Sequence, residues 1–180
     1  SYIESIEDEC FAECISLTSI KIPKSLKIIG KEAFRNCHNL SKIDLPNNIE
    51  TINEKTFYKC NELTDLIIPI TVKSINQSAF EDCTALKRID ISNVLSIAEN
   101  AFKGCASLEF VNMNESLETL GSYAFAYCSS LKQMIIPKNI TKIEPGLFQF
   151  CENLKSVTLL NDITDIGSFA FECCHELQNF

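Results

Sequence analysis

The fold is decided by a unit such as Ile49–Pro69, which reads IETINEKTFYKCNELTDLIIP. Its apolar and small side chains define the pattern I-x-x-I-x-x-x-A-F-x-x-C-x-x-L-x-x-I-x-I-P, and here they are Ile49, Ile52, Thr56, Phe57, Cys60, Leu63, Leu66, Ile68 and Pro69. One such unit is too short to bury these side chains by itself, so a core requires copies stacked on one another.

The unit recurs along the whole chain. Phenylalanine stands at Phe11, Phe34, Phe57, Phe80, Phe102, Phe125, Phe148 and Phe171. A cysteine follows each of them by three residues, at Cys14, Cys37, Cys60, Cys83, Cys105, Cys128, Cys151 and Cys174. The interval is 23 residues except for one of 22, which loses a residue near Ser92–Asn93. We expect a turn there, because turns accept a change of length most easily.

Each part of the unit predicts a local structure. Apolar and polar residues alternate in Ile43-Asp44-Leu45 and Ile89-Asp90-Ile91, which predicts a strand with one buried face. Phenylalanine and cysteine three residues apart indicate one short helical turn. The sequence therefore predicts an α/β solenoid: a right-handed superhelix with a parallel β-sheet on one face and short helical turns opposite. Residues 1–180 would form one domain of about eight repeats of 22–23 residues.

A position ahead of the phenylalanine carries glycine or asparagine in five units, at Gly30, Asn53, Asn76, Gly121 and Gly167, whereas Glu7, Ala98 and Glu144 occupy it in the other three. Both glycine and asparagine tolerate a left-handed backbone, so their recurrence predicts that conformation at this position.

These residues resemble the BspA-like, or Treponema-type, leucine-rich repeats, which read L-x-x-I-G-x-x-A-F-x-x-C. Clear copies are Ile28-Ile29-Gly30 with Ala33-Phe34 and Cys37, and Leu120-Gly121 with Ala124-Phe125 and Cys128. The resemblance covers Ile3 to Phe180. It implies a leucine-rich-repeat fold and a role like that of cell-surface adhesion and host-interaction proteins of bacteria and parasitic protists.

The cysteines allow three interpretations. They form a ladder of buried, reduced thiols, disulfides between neighbouring turns, or a metal site. The ladder is favoured, because a stack gives each thiol two equal neighbours, and only Cys10 and Cys14 have the tight spacing of a zinc pair. Cys10 shares the position of Ala33 and is expected in the core. Cys173 shares the position of Asn36, so we expect it to be the exposed thiol that alkylates first.

Composition and motifs argue against several functions. The net charge of −8 disfavours nonspecific nucleic-acid binding, which needs clustered Lys and Arg. No apolar run approaches the roughly 20 residues of a membrane span, so we expect no direct membrane insertion. The sequence contains no signature of a nucleophile, phosphate loop or zinc protease. His38 and His175 follow ladder cysteines that should point inward. We therefore predict no enzyme activity and no cofactor.

Partner binding is predicted at the outward positions of the strands, where side chains vary freely over a constant core. Two columns provide the candidates: Lys42, Asp65, Arg88, Phe110 and Gln133 in one, and Asp44, Ile67, Asp90, Asn112 and Ile135 in the other. Ile67, Phe110 and Ile135 are their apolar members, and exposed apolar patches often mark partner sites.

Two functions are open at this point. The first is a protein-binding or adhesion module at the cell surface or outside the cell, with a host protein or another copy as ligand. The alternative is a cytoplasmic scaffold or regulatory interaction domain, since reduced thiols suit that compartment. Neither end of the chain looks like a polar cap. We therefore expect a segment of a longer protein, and end-to-end self-association through unpaired strand groups.

Overall fold

The computed structural model describes residues 2–64 and 66–180. In these residues, the chain winds into a parallel-strand solenoid of about seven turns. The strands, in chain order, are β1 (Ser5–Ile6), β2 (Ser19–Ile20), β3 (Ile28–Ile29), β4 (Lys42–Ile43), β5 (Thr51–Ile52), β6 (Ser74–Ile75), β7 (Arg88–Ile91), β8 (Ser96–Ile97), β9 (Phe110–Met113), β10 (Thr119–Leu120), β11 (Gln133–Ile136), β12 (Lys142–Ile143), β13 (Ser156–Leu159) and β14 (Asp165–Ile166).

The strands form two rows instead of the single sheet that the sequence predicted. Row A comes from the I-x-x-I part of the unit and contains β1–β3, β5–β6–β8–β10 and β12–β14. Row B comes from the alternating end of the unit and contains the pairs β2–β4, β7–β9 and β11–β13. All pairs are parallel, as in Arg88 opposite Phe110 and Gln133 opposite Ser156. Row A was not predicted from the sequence, because its two-residue strands leave almost no alternation to detect.

The predicted helical turns, and with them the α/β class, are wrong for the described residues, which contain no helix. In the turn around Phe34, the amides of Glu32, Phe34 and Asn36 donate to carbonyls of the next turn of the solenoid at 2.8–2.9 Å. A helix would use those amides within the segment. Glu32 and Asn36 also have φ of 55° and 60°, which a right-handed helix cannot contain. Phenylalanine and cysteine nevertheless both point inward, as predicted.

The position that carries glycine or asparagine in most units is not left-handed, so the prediction of that conformation was wrong. The left-handed residues lie two and six positions later, at Glu32 and Asn36 in the turn after Gly30. Gly121 is needed for close approach instead, because a Cβ there would lie 2.5 Å from the Glu99 amide nitrogen and 2.6 Å from the Ala98 carbonyl carbon. Glycine therefore marks where the backbones of adjacent turns come closest.

The core runs the length of the solenoid as stacked columns of identical residues. The phenylalanine rings from Phe11 to Phe171 stack nearly parallel with centroids 5.2–6.2 Å apart. The six rings from Phe34 to Phe148 are completely buried. Strand residues such as Ile43, Ile89 and Ile136 close the core on the row B side. Ser92–Asn93, where the short repeat loses its residue, is a turn as predicted.

Candidate functional site: the outward face of row B

Row B holds its outward side chains on a backbone that the buried side chains fix. In β7, Ile89 and Ile91 are buried while Arg88 and Asp90 are exposed. In β11, Met134 and Ile136 are buried while Gln133 and Ile135 are exposed. This alternation follows from the two-residue period of a strand over an apolar core.

Nine of the ten sequence-predicted candidates lie in the described residues, and all nine are exposed. Asp65 lies outside the described residues. The apolar members are the most informative, because Ile67 is 84% exposed, Ile135 54% and Phe110 48%. Covering these side chains by a partner would be favourable, because it removes apolar surface from water.

One open groove brings five candidates together. Its lining comprises Lys42, Asp44, Thr64, Leu66, Ile67, Lys87, Arg88 and Asp90. Ile67 is thus surrounded by basic and acidic side chains, with Lys42 and Asp44 separated by 4.0 Å. An apolar residue inside a rim of mixed charge is the usual composition of a protein–protein interface.

Two hydrogen bonds hold the carboxylate of Asp90 in place at the far side of this groove. The Ser92 amide donates to Asp90 at 3.0 Å, and the Asn112 amide group donates to the same carboxylate oxygen at 3.2 Å. Ser92, and to a smaller extent Asn112, thereby lower the pKa of Asp90. Asp90 therefore presents a positioned negative charge next to Arg88.

Phe110, Asn112, Gln133 and Ile135 form a second part of the face. Phe110 and Asn112 lie directly opposite Arg88 and Asp90 in the β7–β9 register. Beside Phe110, Lys132 contacts the Glu109 carboxylate at 2.9 Å, and the hydrogen bond from Lys132 lowers the pKa of Glu109. The candidate face is therefore a strip of polar residues with three separated apolar side chains.

The cysteines form the predicted ladder of free thiols. Cys37, Cys60, Cys83, Cys105, Cys128 and Cys151 are buried. Each thiol donates to a phenylalanine carbonyl oxygen of the preceding turn, as Cys83 does to Phe57 at 3.1 Å. Burial raises the pKa of Cys37 to about 11 and raises the pKa of Cys83 well above its usual 9.0.

No catalytic pair emerges from the cysteine and histidine residues that adjoin in sequence. The Cys37 thiol donates to the Phe11 carbonyl at 3.1 Å, and its raised pKa makes it a poor nucleophile. His38 instead places its Nδ1 2.7 Å from Asn61 Oδ1. In residues 2–64 and 66–180 no group of three or more His, Cys, Asp or Glu side chains could hold a metal ion, and no helix could cross a membrane.

Two expectations about exposed thiols need correction. Cys10 is exposed and not in the core, and Cys14 is exposed as well. Cys173 was expected to be the most accessible thiol, but it is half-buried and therefore less accessible than Cys10 and Cys14. It shares its left-handed position with Asn36, as the spacing implied, but neighbouring side chains cover part of it. Its reactivity stays a prediction.

Alkylation of the folded protein with iodoacetamide at neutral pH should modify Cys10 and Cys14 first and Cys173 more slowly. The six buried ladder thiols should react only after unfolding, because reaction requires an accessible thiolate. Peptide mass spectrometry after timed quenching measures each site, with the protein in denaturant as the control. Equal rates at all ten cysteines in the folded protein would contradict the buried ladder.

Sequence reasoning also missed a set of aromatic residues on the turns. Tyr123, Tyr127, Phe150 and Phe169 occupy left-handed positions that face away from the core. Tyr127 and Phe169 are 44% and 58% exposed. The signal was present in the sequence, since the same positions in other turns carry charged residues, asparagine, serine or glycine.

Comparison with known proteins agrees with the geometry. The family model described as "BspA type Leucine rich repeat region" matches six copies over residues 4–132 and 91–180. No curated protein matches the sequence.

Solved structures of bacterial proteins share the fold. A leucine-rich-repeat protein of T. pallidum is 27% identical with a TM-score of 0.64, and the match covers 98% of this chain and 72% of that one. A leucine-rich cell surface protein of Faecalibacterium prausnitzii is 27% identical with a TM-score of 0.70, covering 98% of this chain and 50% of that one.

A third structure shows likeness of fold alone. The pneumococcal vaccine antigen PcpA is 23% identical with a TM-score of 0.64, covering 100% of this chain and 49% of that one. The chain thus spans about half the length of the F. prausnitzii and pneumococcal proteins. With the repeat pattern, the stacked solenoid and a family model that extends over nearly every turn, the chain belongs to the BspA-type leucine-rich-repeat family.

Proposed function

We propose that this chain is a non-enzymatic adhesion module that binds a protein partner through the outward face of row B. The observation that carries the proposal is the outward presentation of Ile67, Phe110 and Ile135 on strands whose opposite face is fixed in the core. Apolar anchors within a polar rim are what protein recognition requires, because a few buried anchors supply most of the binding free energy.

A cell-surface or extracellular location is the second part of the proposal. It is supported by the relative from F. prausnitzii, which is described as a leucine-rich cell surface protein. Biotinylation of intact cells with a membrane-impermeant reagent tests it. Labelling of the native protein is expected, whereas labelling only after lysis would favour an intracellular location.

The alternative, a cytoplasmic scaffold, is favoured by one observation. All ten cysteines, which lie in the described residues, are free, and free thiols are typical of reducing compartments. Its partner would use the same face, so the surface-labelling experiment separates the two functions while the following variants test the face itself.

Replacing Phe110 and Ile135 together by alanine should reduce binding of the purified protein to cultured epithelial cells roughly thirtyfold. The reason is the loss of two apolar anchors, each of which contributes on the order of 1 kcal/mol or more in known interfaces. Flow cytometry of the fluorescently labelled protein measures the binding.

The matched control is Ile28→Ala, which removes an isoleucine with 56% exposure from row A. It should bind like the parent protein. Circular dichroism verifies that each variant is folded. Undiminished binding by the folded double variant would place the site on another face, and absence of binding by the parent protein would argue against adhesion to these cells.

A further inference from the structure

The turns of the C-terminal half carry an aromatic patch that is separate from row B. We define the aromatic patch as Tyr123, Tyr127, Phe150 and Phe169. The rings of Tyr127 and Phe150 stack with centroids 4.8 Å apart and planes 10° from parallel. The Tyr123 ring occupies the space that a Cβ at Gly146 would fill. The four side chains therefore lie on adjacent turns of one side of the solenoid.

The turn itself does not require aromatic residues at these positions. All four have positive φ, between 56° and 61°, a conformation that glycine adopts at no steric cost. Glycine does occupy the equivalent positions at Gly104 and Gly146. Tyr127 and Phe169 stay exposed, while Tyr123 and Phe150 are partly buried. Exposed rings at a left-handed position point to a role outside folding.

The chemistry around the patch is acidic. The three turn segments that carry it, residues 121–131, 144–154 and 167–177, contain four glutamates and no lysine or arginine. Glu152, Glu172 and Glu176 are exposed. Within the described part of the chain, the ion pairs of this region involve Glu144 and not these three carboxylates. The Glu172 carboxylate instead accepts a hydrogen bond from Gln149.

The N-terminal turns have the opposite character. There the same positions carry charged side chains, and Arg35 contacts Glu32 at 2.7 Å and Glu13 at 3.1 Å. Charges in those turns are largely satisfied by one another. Among the left-handed positions that the structure describes, only those of the C-terminal turns combine aromatic rings with nearby carboxylates that have no ion pair.

From this juxtaposition we propose that the aromatic patch binds arginine side chains of a basic peptide segment. A guanidinium stacks on an aromatic face and is attracted by its electrons. The adjacent carboxylates of Glu152 and Glu172 supply the complementary charge and accept its N–H groups. The aromatic patch lies on the side of the solenoid and not at an end, so further turns added along the axis would leave it accessible to a peptide. It is independent of the row B proposal.

The probe is a fluorescein-labelled peptide with two arginines in a glycine–serine frame, titrated with the protein at low ionic strength. Fluorescence anisotropy should show binding of this peptide and none of the matched peptide in which serine replaces arginine. Replacing Tyr127 and Phe150 together by alanine should weaken binding about fivefold or more, since each cation–aromatic contact is lost.

This double variant keeps the net charge of the protein at −8, so its loss of binding cannot come from weaker general attraction of a cationic peptide. A second variant, Tyr127→Leu with Phe150→Leu, keeps apolar bulk and should also lose binding. The row B variant Phe110→Ala with Ile135→Ala should bind the peptide normally. Equal binding by the folded aromatic variants, or equal binding of the serine peptide, would overturn the proposal.

Discussion

Raising the pH from 8 to about 10 is expected to unfold the protein. Cys60, Cys83, Cys105, Cys128 and Cys151 are buried, and burial raises the pKa of each thiol above its usual 9.0. The folded chain therefore keeps these protons while the unfolded chain releases them above pH 9. Because the folded state then binds more protons, its free energy of unfolding falls as the pH rises.

The size of this effect follows from the number of thiols. Each fully shifted group lowers the free energy of unfolding by about 1.4 kcal/mol per pH unit above the unfolded pKa. Five such groups lower it by roughly 7 kcal/mol at about pH 10, which is comparable to the total stability of a typical domain. Cys37 and Cys174, whose pKa burial raises to about 11, add to this loss. Below about pH 8 the same thiols are protonated in both states, so stability there should not depend on them.

Urea titrations at a series of pH values, followed by circular dichroism, measure how steeply the free energy of unfolding falls with pH. The control is Cys83→Ala with Cys128→Ala, which removes two of the five deep thiols but leaves every lysine and tyrosine in place. Because Cys37 and Cys174 also contribute, which makes seven thiols in all, its free energy of unfolding should fall with pH about two-sevenths less steeply. A slope identical to that of the parent protein would show that the thiols do not cause the alkaline unfolding.

Replacing Phe80 by alanine is expected to lower the free energy of unfolding by about 3–5 kcal/mol. The Phe80 ring is completely buried and stacks between Phe57 and Phe102, with centroid distances of 5.4 and 5.3 Å. Its removal loses apolar burial, leaves a cavity and interrupts the column, because the adjacent turns cannot move together without breaking their backbone hydrogen bonds.

The comparison is Phe110→Ala, which removes the same side chain from a position that is 48% exposed. That change should cost less than about 1 kcal/mol, since surface substitutions rarely cost more. Urea denaturation at pH 7 gives both values. Similar losses in the two variants would mean that the phenylalanine column does not dominate the core.

The sequence predicted the parts of the fold that depend on burial. Phe57, Cys60 and Ile68 repeat with one period, and a repeated apolar position can only mean a stacked core. The outward side chains of row B followed from the same alternation, which is why the sequence alone predicted the exposure of Ile67 and Ile135. The partner itself does not follow from burial, because outward positions vary without constraint.

The sequence failed where backbone geometry, and not burial, decides the structure. The three-residue spacing from Phe34 to Cys37 fits a helical turn, yet Glu32 and Asn36 take a left-handed conformation, which a glutamate does not signal. Their amides find acceptors in the next turn, about 22 residues away, and no local pattern records such a partner. The aromatic patch was missed for the same reason, since its positions were assigned to a helix.

The backbone hydrogen bonds between turns also determine how this protein would respond to tension. Bonds such as Phe34 to Thr56 and Phe57 to Ala79 join each turn only to its neighbours. A pull applied along the solenoid axis would therefore detach turns singly from an end. Each detached turn would release about 23 residues of chain, a gain of roughly 70 Å in length. Anchored at one end and holding a ligand at the other, such a chain would lengthen in steps under flow and limit the force on the bond.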